Sequence, residues 1–249
     1  MSKELNSNLE NQFRELRLKE LIPIYQEEIT AATKSNLSYE AFLSNLLDYS
    51  VIYKYEKSLN ARLKRANFPY LKTLEQFDFS FNENLNPEAF RQLGNLDFME
   101  EKENIILIGP PGTGKTHLAT ALGIKACEEK KRVLFISVNE LIRDLKAAYE
   151  EDTVIDRLLF YLRLDLLIID EVGYLPIDEH EANLLFHLIS TRYESKSIIL
   201  TTNFALDSWE KIFKNQLSAV AILDRLVHHS HIFYTDGPSY RVKGKLTKN

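Results

Sequence analysis

The stretch GPPGTGKT at residues 109–116 constrains the fold of this 249-residue chain more than any other feature of the sequence. It matches the pattern G-x-x-x-x-G-K-[ST] in full. A short apolar run precedes it, and a helix-forming segment, THLATALGIKACEE, follows it. Glycines allow backbone N–H groups to curve around phosphate oxygens without Cβ clashes, and the N-terminus of a helix attracts the same anions. A strand, this loop and a helix in that order predict a nucleotide-binding site.

The polar residues of the loop have predicted roles toward the phosphates of a nucleotide. Lys115 would place a positive charge beside the β- and γ-phosphates, and the Thr116 hydroxyl would ligate Mg²⁺. His117 is included in the set, although local packing also explains it. The candidate nucleotide-binding residues are Gly109, Pro110, Pro111, Gly112, Thr113, Gly114, Lys115, Thr116 and His117.

Short apolar runs alternate with helix-length segments from about residue 104 onward. Continuous apolar strands separated by helices are typical of a mainly parallel sheet that is covered on both faces. We therefore expect an α/β fold with a parallel five-stranded sheet between helices. The predicted strands lie at 105–109, 133–137, 166–170, 197–203 and 231–235.

The first 66 residues predict a small all-α domain. Leu5, Leu9, Phe13 and Leu16 recur at the spacing of one helix face, and Ser38 is suited to cap a later helix. Residues 1–66 carry ten Lys/Arg and nine Asp/Glu, against 21 and 27 in the rest of the chain.

The segment after residue 66 breaks the helical pattern and predicts a domain boundary. We assign DNA binding or assembly to the helical domain at 1–66. The nucleotide-binding domain would occupy 67–249 and begin with an entry arm at 67–103, whose first part, 67–87, looks extended.

Two acids, Asp170 and Glu171, stand side by side at the end of the apolar run LLII. Successive side chains of a strand point to opposite sides, so the two carboxylates are expected to diverge. Asp170 would lie in the second shell of the Mg²⁺ ion or ligate it through water, and the ion would offset the cost of its charge. Glu171 would reach a water in line with the γ-phosphate and act as general base, although a solvated loop acid is the alternative interpretation. Asn203, after the next strand, would orient that water.

Composition excludes several other classes of protein. The single cysteine leaves no partner for an internal disulfide, no stretch approaches 18 consecutive apolar residues, and the polar N-terminus lacks a secretory signal. We expect a cytoplasmic protein that does not associate with membranes. DEVG at 170–173 matches the D-x-x-G of GTPases, but the sequence contains no N-K-x-D to read guanine, so ATP is preferred over GTP.

Several longer stretches carry a resemblance to a known family. In order, GPPGTGKTHLATALG, IDEVGYLP, TTNFALDSW, AILDRLVHHSH and SYRVK resemble the IstB family, the AAA+ helper ATPases of insertion-sequence transposons. The resemblance covers nearly the whole chain. The replicative helicase loader DnaC and the initiator DnaA look like more distant relatives.

The family resemblance implies a function and partners. It implies an AAA+ P-loop ATPase that hydrolyses ATP to ADP and phosphate with Mg²⁺. The protein would form homo-oligomers with ATP on double-stranded DNA, remodel a target site for DNA transposition, and recruit or activate a cognate transposase.

The resemblance also implies roles for individual residues. Asn203 matches the sensor-1 position, and Arg241, in SYRVK, matches the sensor-2 arginine that contacts phosphate in cis. Arg225, in AILDRL, matches the arginine finger that one subunit places in the site of its neighbour. Alternatively, Arg225 could pair with Asp224 or Glu210 on a helix surface.

Two groups of basic residues are candidates for sequence-independent contacts with DNA phosphates. Arg143 and Lys146 are spaced i, i+3 in the segment after the second strand, where members of the initiator branch have a helix that lines the DNA path. Charged helix faces are also often plain solvated surface, so both interpretations stay open. The second group contains Lys54, Lys57, Arg62, Lys64 and Arg65.

Three other functions are weighed against the helper ATPase. A DnaC-like helicase loader would favour single-stranded DNA and a helicase partner. A small-molecule kinase would not need Glu171 beside Asp170. A scaffold that binds ATP without hydrolysis is disfavoured by the intact set of candidate catalytic residues. Arg192 is a rival of Arg225 as the finger, although we expect Arg192 to be structural.

Overall fold

The computed structural model describes residues 2–82, 84–173, 176–237 and 239–240. The chain divides into two compact units, residues 1–61 and 62–249, and each is considered by itself. Within the described ranges, no helix is both long and apolar enough to cross a membrane.

The first unit is helical and has a small apolar core. Leu21, Tyr25 and Leu46 are buried in that core, and Leu9 and Phe13 pack against it. Its helices are α1 (Ser2–Glu15), α2 (Tyr25–Lys34) and α3 (Tyr39–Ala66), the last of which continues into the second unit.

The predicted helical character of residues 3–66 is confirmed with two interruptions. Arg17 and Asn36 adopt left-handed φ values of 58° and 49°, which a continuing α-helix does not accommodate. The predicted stripe is only half buried, because Leu5 on α1 and Leu16, which follows the end of that helix, are 60% and 68% exposed. Each helix therefore buries only the residues that reach the small core.

Five parallel strands form the sheet of the second unit, in the order β2-β3-β4-β1-β5. The predicted parallel five-stranded α/β fold is confirmed. Because β4 lies between β1 and β3, the carboxyl ends of these three strands meet at one edge. The strands are β1 (Asn104–Ile108), β2 (Val133–Ser137), β3 (Leu166–Val172), β4 (Ser197–Thr202) and β5 (Ser230–Tyr234).

Successive side chains of each strand point to opposite faces of the sheet. Different helices cover these two faces. Ile106, Leu167 and Leu200 belong to a buried cluster with α7, α9 and α10. On the other face, Gly123 of α6 packs so closely that an added Cβ would lie 2.7 Å from Ile168 Cδ1. The helices are α4 (Pro87–Leu93), α5 (Asp97–Glu100), α6 (Lys115–Glu128), α7 (Val138–Glu150), α8 (Val154–Leu162), α9 (Glu179–Arg192) and α10 (Gln216–Val227).

Arg192, the last residue of α9, is fully buried and holds three backbone carbonyl groups. Its Nη1 donates to Tyr161 O at 2.6 Å and to Leu164 O at 3.1 Å, and its Nη2 donates to Ser197 O at 2.7 Å. Burial lowers the pKa of Arg192 to about 10, so it remains charged at neutral pH. The guanidinium joins α8 to the beginnings of β3 and β4, which is a structural role.

We expect Arg192→Met to lower the free energy of unfolding of the second unit by about 2–4 kcal/mol, because three buried carbonyls lose their donor. Urea unfolding followed by the fluorescence of Trp209, the single tryptophan, measures this change. Arg91→Met is the matched control, because Arg91 is exposed and its ion pair with Glu88 lies on the surface. If Arg192→Met changed the free energy of unfolding by no more than the control, within about 0.5 kcal/mol, the structural role of Arg192 would be contradicted.

Candidate active site

The loop between β1 and α6 has a backbone that depends on glycine. Gly109 and Gly114 adopt φ values of 149° and 98°, in the region that side chains disfavour. A Cβ on Gly109 would lie 2.0 Å from Thr235 O, and one on Gly114 would lie 2.5 Å from the Phe77 ring. The loop is therefore enclosed by neighbouring segments on both sides.

Lys115 and Thr113 hold the loop in its curve. The Lys115 ammonium, nearly buried, donates to the carbonyls of Gly109 at 2.6 Å and Pro110 at 2.8 Å. The Thr113 hydroxyl donates to Pro110 O and lies 2.6 Å from the hydroxyl of Thr235. The charged group is thus inside the loop curve, where phosphate oxygens would meet it.

The segment after β5 is tied to the same loop. Thr235 N–H donates to Ile108 O at 2.7 Å, and Tyr240 N–H donates to Gly112 O at 2.9 Å. These two hydrogen bonds connect residues after β5 to Ile108 at the end of β1 and to Gly112 within the loop.

Asp170, at the end of β3, is buried beside Thr116. The Thr116 hydroxyl lies 3.1 and 3.2 Å from the two carboxylate oxygens, and Thr201 donates to Asp170 Oδ1 at 2.5 Å. Burial raises the pKa of Asp170, and the two hydroxyls oppose that shift. A hydroxyl and a carboxylate are hard oxygen ligands of the kind that Mg²⁺ prefers, so these residues fit a Mg²⁺ site.

Glu171 diverges from Asp170 through a break in the strand register. The pairing of β3 with β4 shifts between Ile169 and Val172, and Glu171 adopts a left-handed φ of 62°. Its N–H donates to the Thr201 hydroxyl at 2.9 Å, and its side chain is exposed. A bulge of this kind directs a side chain away from the sheet.

One cavity of about 940 Å³ brings most of the candidate residues together. Its wall includes the loop from Pro111 to His117, together with Glu171, Thr201 and Asn203. Gly109 and Pro110 contribute the carbonyls that hold Lys115, and Asp170 lies behind Thr116. The cavity therefore brings the loop, Glu171 and Asn203 to one place, as their positions at the ends of neighbouring strands require.

Residues 70–82, in the first part of the arm, supply a large part of the cavity wall. The sequence did not predict this contribution. Phe77 packs on His117 with ring centroids 5.2 Å apart, and His117 Nε2 donates to Thr73 O at 2.9 Å. Burial lowers the pKa of His117. The wall residues absent from the predicted set are Tyr70, Leu71, Lys72, Gln76, Phe77, Asp78, Phe81, Asn82, Thr201 and Tyr240.

Arg225 lies on α10 and does not belong to the lining described for this cavity. Its guanidinium stacks over the Phe186 ring at 4.7 Å, and Nη1 donates to Ala221 O at 3.0 Å. A finger that serves a neighbouring subunit would also lie away from its own site. Arg241 lies outside the described residues.

The two groups of candidate DNA contacts differ in how they are engaged. Arg143 is exposed on α7, whereas Lys146 is half-buried and pairs with Glu181 at 3.0 Å. On α3, Lys64 and Arg65 are exposed.

The other three basic residues of α3 have partners within their own unit. Lys54 pairs with Glu20 at 3.4 Å, and Lys57 lies over the Tyr53 ring. Arg62 Nε donates to Cys127 O at 2.7 Å. Arg143, Lys64 and Arg65 therefore present their charges most directly to solvent.

We expect Asp170→Asn to raise the free energy of unfolding at pH 7, without nucleotide, by about 0.5–2 kcal/mol. The buried charge is removed, while a side-chain oxygen remains to accept from Thr116 and Thr201. Because the pKa of Asp170 is raised in the fold, its charge destabilises the fold above that pKa. The advantage of the variant should therefore shrink as the pH falls. Urea unfolding followed by Trp209 fluorescence at several pH values measures both effects.

Asp165→Asn provides a control of opposite sign. Partial burial opposes ionisation of Asp165, but bonds from Arg132 and Lys196 outweigh it and hold its pKa well below the usual range. Removing that charge should lower the free energy of unfolding at pH 7 by about 1–3 kcal/mol. This contribution should vanish only in acid, as the pH falls through the folded pKa. Loss of stability in Asp170→Asn at pH 7 would contradict a buried, unfavourable charge at that position.

The sequence matches the family model described as IstB-like ATP binding protein over residues 11–248. A protein of Pseudomonas aeruginosa, named as an ATP-binding protein of insertion sequence IS21, is 43% identical over 241 residues, which is 94% of this chain and 90% of the relative. The corresponding protein of IS232 from Bacillus thuringiensis subsp. berliner is 38% identical, and the alignment covers 98% of this chain and 96% of the relative.

Solved structures show the same fold at lower identity. AMPPCP-bound DnaA from Aquifex aeolicus is 24% identical with a TM-score of 0.57, over 68% of this chain and 51% of that one. The DnaC helicase loader is 21% identical with a TM-score of 0.51, over 66% of this chain and 96% of that one. The predicted AAA+ P-loop fold is confirmed. The match of the family model over residues 11–248 and the two relatives at 43% and 38% identity show that the chain belongs to the IstB-like family of insertion-sequence ATP-binding proteins.

Proposed function

We propose that this protein is an ATP-dependent, DNA-binding helper ATPase for transposition. It would assemble with ATP on duplex DNA in the cytoplasm, remodel the target site and recruit or activate a transposase. One observation carries the proposal: Lys115, Thr116, Glu171 and Asn203 line a single cavity in a chain of this family. The names of the relatives, ATP-binding proteins of insertion sequences, support the same role.

Phosphate binding would use groups that already converge on the loop. Lys115 would exchange its bonds to the Gly109 and Pro110 carbonyls for phosphate oxygens. The N-terminus of α6, which begins at Lys115, adds the positive end of a 14-residue helix. Binding energy would therefore come from charge and from a loop that is held in its curve by its own residues.

Thr116 and Asp170 would hold the magnesium ion. Bound there, Mg²⁺ would neutralise the charge of the phosphates. The Thr201 hydroxyl fixes one oxygen of Asp170, so the carboxylate is oriented without the ion. Thr201 is therefore a positioning residue that the sequence did not reveal.

Water activation would be assigned to Glu171 and Asn203. The bulge places the Glu171 carboxylate in the cavity wall rather than in the sheet. In that position it would orient the attacking water and accept its proton. Asn203, which follows β4, would supply an amide to the same water.

Assembly would bring Arg225 of one copy to the cavity of the next. Arg225 is separate from the lining of its own cavity, and the same helix exposes Leu217 and Val220 at 82% and 65%. Exposed apolar side chains on one helix are typical of a contact surface. The guanidinium would stabilise the charge of phosphoryl transfer.

DNA contacts would be phosphate contacts made by exposed basic residues. Arg143, Lys64 and Arg65 are the strongest candidates, since their charges face solvent. Lys54, Lys57, Arg62 and Lys146 remain candidates whose present partners would have to be exchanged for phosphate.

We expect Glu171→Gln to lower the steady-state ATPase rate by about 10²–10⁴-fold, because the amide cannot accept the proton. ATP affinity, measured by calorimetry, should stay within about threefold of wild type, since the phosphate-binding groups are unchanged. Glu101→Gln is the matched control at an exposed position near the opposite end of β1, and its rate should be unaffected. Turnover close to wild type in Glu171→Gln would refute the assignment of Glu171 as base.

The function is tested by the ATPase rate per subunit as a function of protein concentration, without DNA, with duplex and with single strands. We expect the rate to rise with concentration and to be stimulated most by duplex, with stimulation that falls steeply as salt rises. Greater stimulation by single strands would favour a helicase loader. If the rate per subunit changed with neither protein concentration nor DNA, the alternative function as a small-molecule kinase would be favoured instead.

Mixed variants test whether Arg225 acts in trans. Arg225→Ala alone and Glu171→Gln alone should each be nearly inactive. In an equal mixture, the intact site of one variant would meet the intact arginine of the other at about one quarter of the interfaces, so activity should return to that order. A mixture as inactive as its components would exclude a finger in trans.

A further inference from the structure

We propose that Asn82 reads the adenine base of the bound nucleotide, an inference that rests on the function proposed for the same cavity. Asn82 lies in the arm and belongs to the cavity wall. Its side chain would accept a hydrogen bond from the 6-amino group of adenine and donate one to N7. It would therefore select the base, a role separate from the phosphate chemistry of the loop.

The lining of the cavity indicates where the base would lie. The phosphate-binding loop and Glu171, Thr201 and Asn203 account for the part of the wall that would meet the triphosphate. The rest of the wall comes from the arm and Tyr240. A nucleotide with its phosphates on the loop would therefore direct its base toward the arm.

Asn82 is a buried amide without a structural task among the described residues. It is 2% exposed, and neither its Oδ1 nor its Nδ2 has a hydrogen-bond partner within the described ranges. Its backbone is fixed, because its N–H donates to Phe79 O and its carbonyl accepts from Leu85 N–H, both at 3.1 Å. Burying an amide without partners is unfavourable, so a partner supplied by a ligand would explain its presence. Because both amide atoms are shielded from solvent, the side chain would turn toward the cavity to meet a base there.

Two other asparagines show what a structural amide looks like in this unit. Asn104 is also buried, but its Oδ1 accepts from Ile198 N–H at 2.9 Å and its Nδ2 donates to Leu226 O at 3.1 Å. Asn84, two residues beyond Asn82, donates to Asp236 at 2.9 Å. Asn82 differs from both, although it lies in the same unit and close to one of them in sequence.

The chemistry of a carboxamide matches one edge of adenine and mismatches the same edge of guanine. Adenine presents a donor at its 6-amino group and an acceptor at N7, which an asparagine side chain satisfies in pairs. Guanine presents two acceptors there, so the carboxamide oxygen would face another acceptor. Phe81 and Tyr240, with ring centroids 5.1 Å apart, line the same cavity and offer apolar surface for the flat faces of the base.

Calorimetric titrations with four ligands test this assignment in the presence of Mg²⁺. The ligands are ATP, 7-deaza-ATP, which lacks the N7 acceptor, purine riboside triphosphate, which lacks the 6-amino group, and inorganic triphosphate, which has no base. Wild type should bind ATP about tenfold more tightly than either analogue, because each analogue loses one hydrogen bond in a buried site. A wild type that binds both analogues as tightly as ATP would overturn the inference without any variant.

Asn82→Leu should abolish the discrimination. The variant should bind ATP and both analogues within about twofold of one another, with unchanged affinity for inorganic triphosphate. It should be at least as stable as wild type, because it removes two polar atoms that have no partner. Asn84→Leu is the matched control, since Asn84 is not part of the described cavity wall, and it should keep full discrimination.

The outcomes separate this inference from the function on which it rests. Discrimination that survives Asn82→Leu would overturn the role of Asn82 and leave the proposed function intact. If the wild type bound neither ATP nor inorganic triphosphate, the proposed function would be overturned, and the inference with it.

Discussion

The hydroxyl of Thr201 is the interaction on which the geometry of the site depends. It donates to Asp170 and accepts from the backbone N–H of Glu171, so one atom of β4 fixes the two neighbouring acids of β3. The Thr116 hydroxyl completes the link to α6. Without this hydroxyl, the irregular end of β3 would lose the contact that holds its bulge at Glu171, and the Asp170 carboxylate would lose one of the two hydroxyls that orient it.

The same arrangement explains why a charged carboxylate is retained where burial disfavours it. The pKa of Asp170 is raised because the surrounding sheet removes it from water, yet two hydroxyls are directed at it. Arg192 illustrates the other outcome, since this buried charge satisfies three carbonyls and serves only the fold. These two buried charges thus differ in their contacts: Arg192 binds backbone carbonyl groups, whereas Asp170 accepts from two hydroxyl groups at the cavity for which we propose a ligand.

Local patterns predicted the sheet and the phosphate-binding loop because their information is contained in short stretches of sequence. Apolar runs such as LLIID identified strands, and GPPGTGKT specified its own backbone through its glycines. The bulge at Glu171 was beyond such patterns, because it depends on the pairing of β3 with β4. The divergence of the two acids was expected from strand alternation, whereas the structure achieves it with a left-handed residue.

The arm shows why part of the candidate site could not be predicted. Phe77 and Asn82 reach the cavity from some thirty residues before the loop. A segment without a regular apolar pattern carries no signal that distinguishes packing from ligand contact. Thr201 was not predicted for a related reason. Threonine is common in strands, and a role for this one becomes visible only when its contacts with the neighbouring strand are known. Leu5 and Leu16 show the converse, since helical spacing alone overestimated what the small core buries.

The bonds from Thr235 and Tyr240 to the loop have a consequence for the energetics of the whole site. Because residues after β5 bond to Ile108 at the end of β1 and to Gly112 in the loop, a ligand that changes the loop would also change the free energy of those residues. Coupling of this kind is reciprocal. Whatever restrains or releases Thr235 and Tyr240 would alter the affinity of the loop for a ligand by the same factor, so these two residues would take part in the binding equilibrium although neither belongs to the loop.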